Sequence, residues 1–239
     1  MFSWFENLVN PFPDKTINAA PRNFWAFAWG CTQGLRPYIL AMTLLTGLIG
    51  AFEALLFSMM GKVVDWLSKI PPDQLWAQEK HHLWLLAAAL LLSTVFIALQ
   101  TLFKHQTLAG NFPMRLRWNF HRLMLNQSMS FYQDEFAGRV SAKVMQTALA
   151  VRDVWFIVAD ILVFVIIYFA TMVAVVGSFN SLIIWPFLGW LLFYAGALIY
   201  FVPRLSRVSQ QQADARSLMT GRITDAYTNI STVKLFSHA

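Results

Sequence analysis

The sequence predicts an all-α membrane protein with four transmembrane helices and long cytoplasmic extensions. Three observations carry that expectation. Four apolar stretches of spanning length occupy about 37–61, 83–103, 155–177 and 182–202, and the chain is 57% apolar and 13% charged, where a soluble domain is about 25% charged. Charge is distributed unevenly between the stretches: 103–153 holds seven basic and three acidic residues, the part after Pro203 five and two, while 62–82 and 178–181 are neutral. The positive-inside bias then places both basic stretches and the N-terminus in the cytoplasm. Finally, helical periodicity continues beyond the ends of the second and fourth spans, so those helices outrun the bilayer.

Composition excludes several classes. The net charge of +6 could suggest nucleic acid, but the basic residues cluster beside apolar spans, where topology accounts for them. A single cysteine, Cys31, permits no intrachain disulfide. Residues 1–10 have no basic region ahead of an apolar run, so they are not a cleaved signal peptide.

In chain order, 1–20 contain Pro11 and Pro13 and read as a loose cytoplasmic leader. Residues 21–36 contain Phe24-Trp25-Ala26-Phe27-Ala28-Trp29 between Arg22 and Arg36, too short to span and suited to a helix in the headgroup layer. The first span, 37–61, has Glu53 as its only charge. The segment 62–82 turns outside the membrane at Pro71-Pro72. The second span, 83–103, has no charged residue, and Leu116, Phe120, Leu123, Met124 and Gln127 prolong its helical pattern. At 1.5 Å per residue this extension reaches up to roughly 40 Å, less any kink at Pro113.

The pattern breaks between about 129 and 140, at Ser130-Phe131-Tyr132-Gln133-Asp134-Glu135-Phe136-Ala137-Gly138-Arg139, and resumes through the third span. Ser178-Phe179-Asn180-Ser181 is a tight outer turn. After the fourth span, Leu205, Val208, Ala215, Met219, Ile223, Ala226, Ile230 and Val233 mark one helix face, and Arg204, Arg207, Asp214, Arg216, Arg222 and Asp225 the other. The pattern meets Ala239 without a cap, which reads as a truncated chain.

Few residues carry chemistry. Glu53 lies roughly 12 Å inside the outer end of its span. A carboxylate at that depth faces a bundle interior or a water-filled cavity, as a contact for cationic substrate or as a structural group bonded to Ser or Thr. Asp160, near the inner end of its span, reaches water or pairs with a basic residue. His81-His82 point in different directions on a helix and have no third ligand, so no metal site is expected. Trp66, Trp76, Trp84, Trp155 and Trp185 stand near span ends, where indoles anchor at headgroups. Phe52, Phe57, Phe96, Phe164 and Phe169 serve as packing or lipid-facing groups, or line an apolar path. Phe131, Tyr132 and Phe136 are large aromatics at a loop tip: they either fill a socket on a partner or pack between the two legs. Gly138 lets the chain turn into the following helix.

This layout resembles the first part of the transmembrane domain of ATP-binding-cassette (ABC) exporters of the multidrug and lipid-export type. The resemblance rests on the elbow Phe24–Trp29, on Phe131-Tyr132 followed by Gly138 and Lys143, and on Asn229-Ile230 ahead of Thr232-Val233-Lys234-Leu235-Phe236. Two departures are Lys143 in place of the usual arginine and Thr147 where an aspartate often stands. The resemblance implies a partial type-1 transmembrane domain over 37–239, with spans five and six missing, and a coupling loop near 129–140. Phe131, Tyr132, Phe136, Gly138 and Lys143 would couple to a nucleotide-binding domain, with Glu53 on the substrate path. It further implies ATP and Mg2+ on that missing domain and none in this chain, a second transmembrane domain as homodimer or pseudo-dimer, lipid contact, and a bacterial inner membrane. No G-x-x-x-x-G-K-[ST] occurs; Gly61-Lys62 lacks both the upstream glycine and the hydroxyl residue. The expected function is ATP-driven export of hydrophobic or amphipathic small molecules, drugs or lipids by alternating access. A stand-alone four-span scaffold or small channel, or an ion-coupled carrier supported by Glu53, remain the alternatives.

Overall fold

The computed structural model describes residues 2–14, 23–69, 71–134 and 137–236, and among them every regular element is a helix. The chain forms two compact units, 1–178 and 179–239.

The first unit starts with a short helix, α1 (Ser3–Glu6), and continues as an irregular strap to Asp14. The elbow is α2 (Phe24–Cys31), opened by Asn23, whose side chain accepts from the Trp25 amide at 3.0 Å. Gly34, at φ +79°, turns the chain into the first span. A Cβ at that position would run into the Arg115 guanidinium.

The first span lies within α3 (Arg36–Lys69), longer than the 37–61 expected. Its buried residues are Ile39, Met42, Thr46, Gly47, Gly50 and Ala54, one face at helical spacing, with small residues where the next backbone comes close. A Cβ on Gly50 would stand 3.2 Å from the Phe164 carbonyl oxygen. Pro71 caps α4 (Pro72–Thr101), where a proline in the first turn forfeits no helical hydrogen bond.

The second helix does not end at the membrane. It passes through a π-helical segment, Leu102–Ala109, into α5 (Asn111–Leu125). Pro113 lies in the first turn of α5, so the irregularity lies in the π segment just before it. After α6 (Met129–Asp134), α7 (Ala137–Phe156) leads through a second π segment, Ile157–Leu162, into α8 (Val163–Phe179). The core gathers at the basic end of these helices, around Leu35, Met42, Leu108, Phe112, Leu116 and Ala148. The membrane-spanning surfaces stay apolar and open, as at Leu91, Val165 and Ile166.

The leader is not loose over its described residues. Side chains at 107, 111, 115, 118 and 122, spaced to share one face of the second helix, donate to its backbone carbonyls. Thr107 bonds Phe5 O at 3.0 Å, Asn111 bonds Glu6 O at 2.8 Å, and Arg115 bonds Asn10 O at 2.8 Å. Trp118 bonds Pro13 O at 3.3 Å, and Arg122 bonds Pro13 O and Asp14 O at 3.2 and 2.6 Å. Val9 is buried in the core, and Tyr38 donates to Leu8 O at 2.8 Å.

In the second unit, the Asn180 side chain accepts from the Leu182 amide at 2.9 Å and starts a 3-10 turn, Ser181–Ile183. A single helix, α9 (Ile184–Thr228), follows with Pro203 inside it. It breaks at Asn229 before α10 (Ile230–Phe236). Both faces of α9 carry exposed large apolar residues, including Phe193, Ile199, Leu205 and Met219.

Candidate functional site

Two places hold the chemistry of the first unit. One is the tip, α6, carried beyond the apolar spans by α5 and α7. Phe131 and Tyr132 meet edge to face with ring centres 5.3 Å apart. The Tyr132 hydroxyl donates to Met124 O at 2.7 Å. Phe131 is half-buried and lines a cavity of about 280 Å3 with Phe27, Phe120, Lys143 and Thr147. Tyr132 lines another of about 450 Å3 with Phe12, Trp118, Met124 and Val144. The two rings thus face cavities that both legs and, for Phe131, the elbow's Phe27 also line, while Met129 beside them is 76% exposed. Lys143 joins the Phe131 cavity one to two turns into α7, and Gly138 belongs to the first turn of α7. Phe136 lies outside the described residues.

The second place is a polar cluster at the basic ends of the spans. Lys104 Nζ stands 2.6 Å from Asp160 Oδ2. Thr46 Oγ1 donates to Asp160 Oδ1 at 2.9 Å, and Gln100 Nε2 donates to the same oxygen at 3.0 Å. Asp160 is buried and Lys104 half-buried. Of the two expectations for Asp160, pairing with a basic residue is the one realised. Sequence reading counted Lys104 only among the seven basic residues of 103–153 and did not single out Thr46 or Gln100. The available signal was Gln100 and Lys104 at i and i+4, on one face at the end of an otherwise uncharged span.

Glu53 is half-buried and has no hydrogen-bond or ion-pair partner among the described residues. It follows Thr46 by seven residues, two turns or about 10 Å farther along the same face of α3. The first helix therefore presents the polar cluster at one level and an unpaired carboxylate about 10 Å farther from the basic end.

The elbow is tied to the same region. Trp155 Nε1 donates to Ala28 O at 3.0 Å, and the Arg36 guanidinium lies 4.5 Å from the Trp29 ring centre. Cys31 is buried at the end of α2, and burial pushes its thiol up to about 11. Among the described residues no cation offsets that burial, so the thiolate is disfavoured near neutral pH. Among the described residues no group of His, Cys, Asp and Glu could hold a metal, and His82 instead meets Glu79 at 2.8 Å.

Residues 38–238 match the family described as the ABC transporter transmembrane region. The chain is 52% identical over 238 residues to a Haemophilus influenzae protein described as an uncharacterized ABC transporter ATP-binding protein. All of this chain is covered by that alignment, and it spans 39% of that relative's length. No solved structure matches the chain.

Proposed function

This chain belongs to the ABC transporter transmembrane-region family, and from that premise we infer that it is the membrane part of an ATP-driven exporter. Its cargo is hydrophobic or amphipathic small molecules, drugs or lipids, moved by alternating access. The observation that carries this reading is the short helix α6 held at the far end of two long legs. A helix held that far beyond the apolar spans, with Met129 exposed and Tyr132 partly so, is placed to meet a second protein. In the second unit, the short helix α10 follows the long α9 after a break at Asn229, with Leu235 and Phe236 exposed. The partner at both is a nucleotide-binding domain, as the relative's description as an ATP-binding protein indicates for that protein.

In this reading the basic ends and the N-terminus are cytoplasmic. ATP and Mg2+ bind the partner domain, whose closure moves the tips and, through the rigid legs, the spans. A second transmembrane domain, as homodimer or pseudo-dimer, covers the open apolar faces and completes the cavity. Glu53, the unpaired carboxylate within the bilayer, contacts cationic cargo. The test is the full-length protein in proteoliposomes, loaded with ATP and offered a cationic and a neutral amphipathic dye. ATP-dependent movement of both dyes, with Glu53→Gln slowing the cationic one alone, is the expected result. Movement that follows an ion gradient and ignores ATP contradicts it.

A further inference from the structure

The two π-helical segments of the first unit fall where the polar cluster is. Lys104 belongs to Leu102–Ala109, and Asp160 belongs to Ile157–Leu162. Their side chains form the 2.6 Å ion pair between the second and third helices, and Thr46 joins the first helix to it. A further link runs from Arg152 Nη1 to Ala109 O, the last residue of the first π segment, at 3.4 Å. A π turn holds one more residue than an α turn, and such segments recur at functional sites. Returning one to α geometry turns everything beyond it by about 100° about the helix axis. Both helices thus carry this adjustable turn at one level, and the ion pair joins the two.

We propose that the Lys104–Asp160 pair is a conformational latch. While the pair is made, it holds the α5 and α7 legs in the rotation seen here. When it opens, the π segments take up α geometry and the legs turn against α3, leaving Thr46 and Gln100 to hydrate or re-pair. The latch restrains turnover in the resting protein, because the tips cannot follow the nucleotide-binding domains until the pair parts. Removing one partner of a well-shielded pair leaves the other uncompensated, which biases the equilibrium towards the open state. The latch rests on the reading of this chain as part of an ATP-driven transporter.

The experiment measures cargo-free ATPase activity of the full-length transporter in proteoliposomes, for the native protein, Lys104→Gln, Asp160→Asn and the exchanged pair Lys104→Asp/Asp160→Lys. Each single variant is expected to raise cargo-free turnover by about tenfold, and the exchanged pair to return it to within about twofold of native. Single variants at or below the native rate overturn the latch, as does an exchanged pair that stays as fast as the singles. Where a variant fails to reach the membrane, hydrogen exchange on the native protein decides. Amide protection in 102–109 and in 157–162 must differ between the nucleotide-free and ATP-plus-vanadate states. Unchanged protection in either segment overturns the latch. A native protein with no ATPase activity at all defeats the transporter reading instead, whatever the variants do.

Discussion

The Tyr132 hydroxyl donates to the Met124 carbonyl eight residues earlier, at 2.7 Å. Met124 lies in the last turn of α5, and its carbonyl also accepts from the Gln127 amide at 2.9 Å. The bond therefore ties the tip helix to the leg that carries it. Tyr132→Phe keeps the ring in its cavity and removes only this bond, which is exposed and worth about 1 kcal/mol. The variant is expected to keep native thermal stability to within a few degrees and to lose amide protection across 129–134 alone. Hydrogen exchange reads that difference, and unchanged protection there would show that the legs alone hold the tip.

Val9 tests the strap. It is buried among Leu108, Phe112 and Leu116, under a segment fixed by backbone carbonyls rather than side chains. Val9→Asp places an unpaired carboxylate in that apolar cluster, at a loss of about 3 kcal/mol or more. Limited trypsinolysis should then cut after Arg115 and Arg122, which the native strap protects. A native cleavage pattern from this variant would mean the strap does not cover the second leg.

Gly50 tests the close approach of the first and third helices. A valine there puts a Cβ 3.2 Å from the Phe164 carbonyl oxygen, backbone that cannot swing aside. Overpacking of this kind costs about 1–3 kcal/mol. Gly50→Val is expected to lower the detergent-solubilised Tm, while Gly61→Val, which meets open space, leaves it unchanged.

Cys31 sets the conditions for a topology measurement. Its thiol is buried and pushed up to about 11 from an ordinary 9.0. The reactive thiolate is therefore about a hundredfold scarcer near neutral pH than in a free thiol. Because the folded value is the higher one, this thiol's contribution to stability is complete below pH 9 and is lost as pH rises through about 11. Near neutral pH, native protein should take up little impermeant maleimide. Gln74→Cys should label on intact cells and Gln133→Cys only after permeabilisation. The opposite pattern would invert the orientation.

Much of the fold was legible because a span needs about twenty apolar residues and little else imitates one. The four long apolar helices and the elbow follow from composition and periodicity, whereas the break expected over 129–140 falls earlier, after Leu125, and 129–134 is itself a short helix. The strap was not legible, because its acceptors are carbonyls that every residue carries. Arg115 and Arg122 read as topology charges, yet each also donates to the strap. The Lys104–Asp160 pair was half legible. Asp160 called for a basic partner, but Lys104 lies 56 residues away, and the π segments shift the helical phase that would have aligned the two. At the tip, the aromatics of Phe131-Tyr132 were legible as unusual, but the cavities they share with Phe27 and Trp118 depend on elements far off in the chain.

The central claim is that the tip transmits ATP hydrolysis to the spans. Phe131→Ala removes a ring that lines a cavity together with Phe27, Phe120 and Lys143. In the full-length protein it should leave ATP binding intact and lose cargo-stimulated ATPase activity and transport together, since the half-buried ring lies between the tip and the legs that would carry its movement to the spans. The decisive measurement is stimulated ATPase and dye transport side by side in proteoliposomes, for native protein and Phe131→Ala at matched insertion. The account predicts native ATP binding with both stimulation and transport reduced at least about tenfold. Native stimulation together with native transport in Phe131→Ala would contradict it.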